Sequence, residues 1–101
     1  MAREQARKNS VDDHSLLKRA ANGDEYALRQ LFRCYAARIY RHAARILGAD
    51  DSDIEDVVQQ VFIAALEGAD AFDGRSAVST WLYGITTRRA LDASRARWRR
   101  R

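Results

Sequence analysis

Proline is absent from the 101 residues, and cysteine and methionine occur once each. With no proline, no low-complexity stretch and no internal repeat, nothing divides the chain into segments joined by a stiff linker. The single cysteine, Cys34, excludes an internal disulfide and agrees with a reducing compartment. It falls on an apolar helix side, where it reads as a small buried hydrophobe. No apolar run approaches the roughly 20 residues that span a bilayer, and the polar start is no signal peptide, so a cytoplasmic location is expected. His14, Cys34 and His42 are the only soft metal ligands, and none sits at a C-x-x-C, H-E-x-x-H or E-x-x-H spacing. There is no glycine-rich phosphate loop. Asp50, Asp51 and Asp53 could imitate a metal loop, but helix capping explains them more simply. Neither a metal, a cofactor nor an enzymatic activity is expected. The length allows one domain with a modest core and no spacious enclosed active site.

What the chain does contain is helical periodicity and segregated charge. Hydrophobic residues make up 47% and charged residues 32%, the balance of a globular protein. Glycines punctuate it: Gly23, Gly48, Gly68 and Gly74 fall where the apolar period breaks. Residues 1–11 read as a disordered N-terminal segment. Asp12 or Asp13 can cap a short helix carrying Leu16, Leu17 and Ala20. Asp24 caps a long helix to about Leu47, its apolar side formed by Leu28, Leu31, Phe32, Tyr35, Ile39, Ala43 and Ile46. Ser52 and Glu55 have the spacing of a capping box. The helix they open carries Ile54, Val57, Val58, Val61, Phe62, Ala65 and Leu66. After a loop, Val78, Trp81, Leu82 and Ile85 recur at i, i+3, i+4 and i+7, one face of a final helix. Nothing reads as a strand. The expected fold is all-α, a compact bundle of three main helices with a short leading one.

The net charge of +4 hides an asymmetry. Between Ala49 and Gly74 lie eight acids and no lysine or arginine, whereas from Arg75 onward there are eight arginines and one acid, Asp92. Two surfaces with two partners of different charge follow from that division. The arginine-dense side of the last helix suits a polyanion such as nucleic acid, although a solvated face running into a basic tail has the same composition. On the third helix, Asp56, Gln59, Gln60 and Ile63 form a stripe that the core does not use. It suits docking against another helix, or simply solvation. Between these helices, Phe72, Gly74, Arg75, Ser76, Ser79 and Thr80 combine hydroxyls, a hinge and a guanidinium beside Trp81 and Tyr83. That mixture can hold unpaired bases. Trp81 fits the core period, leaving Tyr83 as the more exposed ring. His42 reads as a boundary residue.

Three segments taken in order resemble region 2 of bacterial RNA polymerase sigma factors of the extracytoplasmic-function (ECF) type. DEYALRQLFRCYAARIYRHAARILG at 24–48 matches the family's first long helix, and IEDVVQQVFIAAL at 54–66 looks like its D-x-x-Q-E-x-F helix. FDGRSAVSTWLYGITTRRALDASRAR at 72–97 resembles its loop followed by S-x-W-L-x-x-I. The resemblance covers roughly residues 14–99. It implies a region 2 domain at 12–99, with 100–101 beginning a basic linker. The family's second domain, a helix-turn-helix that reads the −35 element, has no counterpart here, so the sequence reads as a shortened form of a longer factor. It further implies that Asp56, Gln59, Gln60 and Ile63 face the clamp helices of the largest subunit of core RNA polymerase. Arg75, Ser76, Ser79, Thr80, Tyr83, Thr87, Arg88, Leu91 and Arg95 would recognise and melt the promoter −10 element. They would hold its non-template strand, with one flipped base in a loop pocket. An anti-sigma factor is an expected regulatory partner. Two positions depart from the family pattern: Gln60 where Glu is usual, and Arg88 where Asn is common. Two other readings share the basic helix: a duplex DNA-binding helical domain, and a non-catalytic adaptor for an acidic protein.

Overall fold

The computed structural model describes residues 13–48 and 52–100. The expected disordered stretch 1–11, together with Asp12, Asp50, Asp51 and Arg101, lies outside the described residues. Among those described there are four α-helices and no strand. Helix α1 occupies 13–21, α2 Glu25–Leu47, α3 Ile54–Glu67 and α4 Val78–Arg100, with a 3₁₀ turn at Ala69–Ala71 where the sequence reads as plain loop. None of these helices is long and apolar enough to cross a membrane.

Local chemistry sets the boundaries. Asp24 caps α2 by accepting a hydrogen bond from the Ala27 N–H at 3.1 Å. That bond, and then Arg19, whose guanidinium donates to Asp24 at 2.8 and 3.0 Å, hold the carboxyl below its ordinary value. The helix stops at Gly48, whose φ of 106° lies in the left-handed region and whose N–H returns to the Ala44 carbonyl at 2.7 Å. The N-cap of α3 falls on Asp53, one residue later than the Ser52–Glu55 spacing requires. Glu55 is therefore the second helical residue and the expected capping box does not form. Asp56 takes the third position instead, where a carboxylate meets the positive end of the helix dipole.

The core is drawn from every helix. Leu17 of α1, Leu31, Tyr35 and Ile39 of α2, Ile54, Val57 and Val61 of α3, and Val78 and Leu82 of α4 are all buried. Two residues placed on apolar helix sides are not inside. Phe32 is 51% exposed and only leans on Phe62, with ring centroids 5.2 Å apart. Cys34 is exposed, not a buried hydrophobe. The physical reason is that the buried line of α2 is the narrow i, i+4 row Ala27, Leu31, Tyr35, Ile39 and Ala43, and Phe32 and Cys34 lie to either side of it.

One polar contact fixes the leading helix. Asp13 is not a cap: it is helical and buried, and its carboxylate accepts the Tyr35 hydroxyl hydrogen bond across 22 positions of chain. Burial, reinforced by the Asp13 carboxylate, pushes the Tyr35 hydroxyl far above its ordinary range, so it stays a neutral donor. Tyr35→Phe keeps the ring but leaves a buried carboxylate without that donor. The expected loss is about 1–3 kcal/mol, read as a lower urea midpoint at unchanged m-value. A midpoint equal to wild type would mean that the pair does not hold α1 in place.

Candidate nucleic-acid and helix-docking surfaces

The loop between α3 and α4 is built around Phe72 and Gly74. Phe72 is buried, stacked between the Trp81 ring at 4.9 Å and the edge of His14 at 5.0 Å. Lys18 of α1 donates to the carbonyls of Ala69 and Phe72, holding the chain where it leaves the 3₁₀ turn. Gly74 has a φ of 79°, in the left-handed region that favours glycine, and a side chain there would press on the His14 imidazole at 3.0 Å. Asp73 accepts the Arg75 N–H at 3.0 Å and pairs with its guanidinium at 3.1 Å. Ser76 and Arg75 are exposed beyond it. Together with His14, Lys18 and Arg19 they line a cleft of about 700 Å³ between α1 and the loop. The loop half of that cleft is legible in the sequence. The α1 half depends on a hydrogen bond spanning more than 50 residues and carries no local signal.

Along α4 the expected nucleic-acid residues fall into two sets. Thr80, Arg88, Leu91 and Arg95 are exposed on the outer side. Trp98, 71% exposed, follows Leu91 and Arg95 at helical spacing on the same side. It is the large aromatic that the apolar period passes over, and its i+7 relation to Leu91 is the signal that marks it. Tyr83 and Thr87 turn toward α2 instead. The Thr87 hydroxyl donates to the Tyr83 carbonyl at 3.0 Å and lies 2.8 Å from His42 Nε2. Thr87 thus bridges the Tyr83 carbonyl and the His42 imidazole. The His42 and Tyr83 rings lie 5.3 Å apart. Ser79 is half-buried at the base of the helix, and Trp81 is half-buried as its period requires.

The second surface is on α3. Asp56, Gln59, Gln60 and Ile63 are all exposed, with Ile63 at 55%. Exposed Phe32 of α2 lies beside this stripe. With Leu28, Phe62 and Ile63 it lines an apolar groove of about 500 Å³ between the two helices. No group of three or more His, Cys, Asp or Glu among the described residues is placed to hold a metal ion.

Residues 31–100 match the model of the Sigma-70 region 2 family. The chain belongs to the sigma-70 region 2 family. This region 2 domain is 40% identical over 85 residues to the RNA polymerase sigma factor NccH of Alcaligenes xylosoxydans xylosoxydans, covering 84% of the chain and 45% of that protein. It is 35% identical over 90 residues to the ECF RNA polymerase sigma-E factor of Escherichia coli, covering 89% of the chain and 46% of that protein. With SigW of Bacillus subtilis, another ECF RNA polymerase sigma factor, it shares 35% identity over 79 residues, 78% of the chain and 42% of the relative. The chain thus spans less than half the length of these curated relatives. An NMR structure of an engineered region 2 of sigmaE in complex with GTAAAA superposes with a TM-score of 0.75 at 34% identity. The match covers 87% of this chain and 90% of that one.

Proposed function

We infer that this region 2 domain recognises the −10 promoter element, holds its non-template strand once opened, and does so while docked on core RNA polymerase. The observation that carries this reading is the likeness, at a TM-score of 0.75, to an engineered region 2 of sigmaE solved in complex with GTAAAA. The surfaces support it chemically. Arg88 and Arg95 supply phosphate contacts on the outer side of α4, which position without specifying. Leu91 and Thr80 add apolar and hydroxyl contacts between them, and Trp98 offers a stacking platform. The cleft under Arg75 and Ser76 is large enough to take one extruded base. Ser79, Tyr83 and Thr87 flank that path, the latter two sharing their contacts with His42. Asp56, Gln59, Gln60 and Ile63 are the polymerase-docking stripe, polar around an apolar centre. On this reading the domain is non-catalytic and works in the cytoplasm, where its partners are. An anti-sigma factor would act by covering the same two surfaces.

Binding of labelled GTAAAA, followed by fluorescence anisotropy as salt is raised, tests the strand-holding half. Arg88→Ala and Arg95→Ala are each expected to weaken binding. Each should also lower the salt slope by about 0.7 for every phosphate of the single strand that is no longer neutralised. Affinities equal to wild type at low salt overturn the assignment. A stronger competitor in duplex than in single-strand form would favour the duplex-binding alternative.

A further inference from the structure

Three arginines of α2, absorbed by neither surface above, line a second basic site. Arg38, Arg41 and Arg45 are exposed on one side of the helix, spaced three and four residues apart. With His42 and Tyr83 they enclose a cleft of about 310 Å³ between α2 and α4. Among the described residues no carboxylate lies within ion-pair distance of any of the three. Arg38 is held with its guanidinium 5.2 Å from the Tyr35 ring centre, a cation–π contact that pre-sets its direction. Three cations without an ion pair beside one cleft favour an anion there, although Arg41 also borders the groove that holds Glu55.

We propose that this cleft binds backbone phosphates of duplex DNA lying beside the opened segment, extending the DNA path from α4 onto α2. The inference rests on the −10 reading above for its register along α4. Four observations choose the ligand. The cleft has no apolar centre of the kind a protein interface needs; the exposed Phe32 and Ile63 lie at the α2–α3 groove instead. It has no free stacking ring either, because Tyr83 lies against His42 and Tyr35 is buried, so it offers an unpaired strand little beyond charge. A duplex carries one phosphate per roughly 1.7 Å of axis, the denser partner for groups that act through charge alone. Tyr83 and Thr87 connect the cleft to the outer side of α4 without a break.

The test uses the whole chain with three probes: GTAAAA alone, and two forks in which it runs into about one helical turn of duplex at one end or the other. Wild type is expected to bind one fork more tightly than the single strand. Arg38→Gln/Arg41→Gln/Arg45→Gln should lose that gain, about tenfold or more near physiological salt. Its salt slope on the fork should fall by about 2–3, at about 0.9 per phosphate, while binding of GTAAAA alone is unchanged. Arg45→Glu gives the same direction through one exposed residue if the triple variant loses helix by circular dichroism. Equal fork affinities for variant and wild type overturn the proposal. So does a matching loss on the single strand, which would assign the cleft to the opened strand. Failure of the −10 reading shows separately, in Arg88→Ala and Arg95→Ala on GTAAAA alone.

Discussion

Asp56→Arg is expected to abolish association of the domain with core RNA polymerase while leaving the helices intact. Asp56 is exposed and makes no buried contact, so the fold gives up only the favourable carboxylate at the start of α3, about 0.3–1 kcal/mol. The proposed docking surface gives up far more. Reversing a charge at the head of an acidic helix sets like charges against each other across the interface, which costs several kcal/mol and reduces affinity by about a hundredfold or more. Gln60→Glu, one turn further along the same stripe, should move the affinity in the opposite direction. Surface plasmon resonance on immobilised core enzyme reads both. Wild-type affinity in Asp56→Arg would remove the stripe from the polymerase interface, whatever happens to DNA binding.

The second large effect is on the framework that presents both surfaces. Leu82 is 2% exposed and sits on the inner side of α4, opposite Leu91 and Arg95. Thr86, one turn later, is fully buried beside it and donates its hydroxyl to the Leu82 carbonyl at 2.7 Å. Leu82→Ala should therefore fall in the usual range for buried leucine truncation, about 2–5 kcal/mol. At roughly 4–8 °C per kcal/mol for a domain of this size, melting drops by about 8–40 °C. Calorimetry is the check. A shift of only a few degrees would mean that α4 can settle onto α2 and α3 without this side chain, contrary to its packing.

The helices and their outward stripes are legible in the sequence because a period of 3.6 residues assigns a side to each position without reference to the rest of the fold. Val57, Val58 and Val61 go in and Asp56, Gln59, Gln60 and Ile63 stay out, as their spacing requires. The same logic misplaces Phe32 and Cys34, because periodicity says which side is apolar but not how wide a row of it is buried. Long-range polar pairing is the other blind spot. Asp13 beside a helix start has the chemistry of a cap, and only the fold shows that Tyr35 claims it. Likewise His14 and Lys18 look like ordinary surface residues of a short helix until the loop arrives beside them. Of the candidate site, the arginines and hydroxyls of α4 stand out in the sequence, but their division between an outer set and a pair turned toward His42 depends on where α2 crosses.

The Lys18 ammonium reaches two main-chain oxygens at the exit of the 3₁₀ turn, and the His14 ring closes off the space a side chain at Gly74 would need. One wall of the cleft proposed to receive a base is thus set by α1, described over 13–21. A chain trimmed back to Asp24 would lose Leu17 from the core and the carboxylate that Tyr35 donates to, and the receptacle would lose one wall. If that cleft takes the extruded nucleotide as proposed, selectivity for it is expected to fade before strength of attachment does, an uncoupling of discrimination from grip.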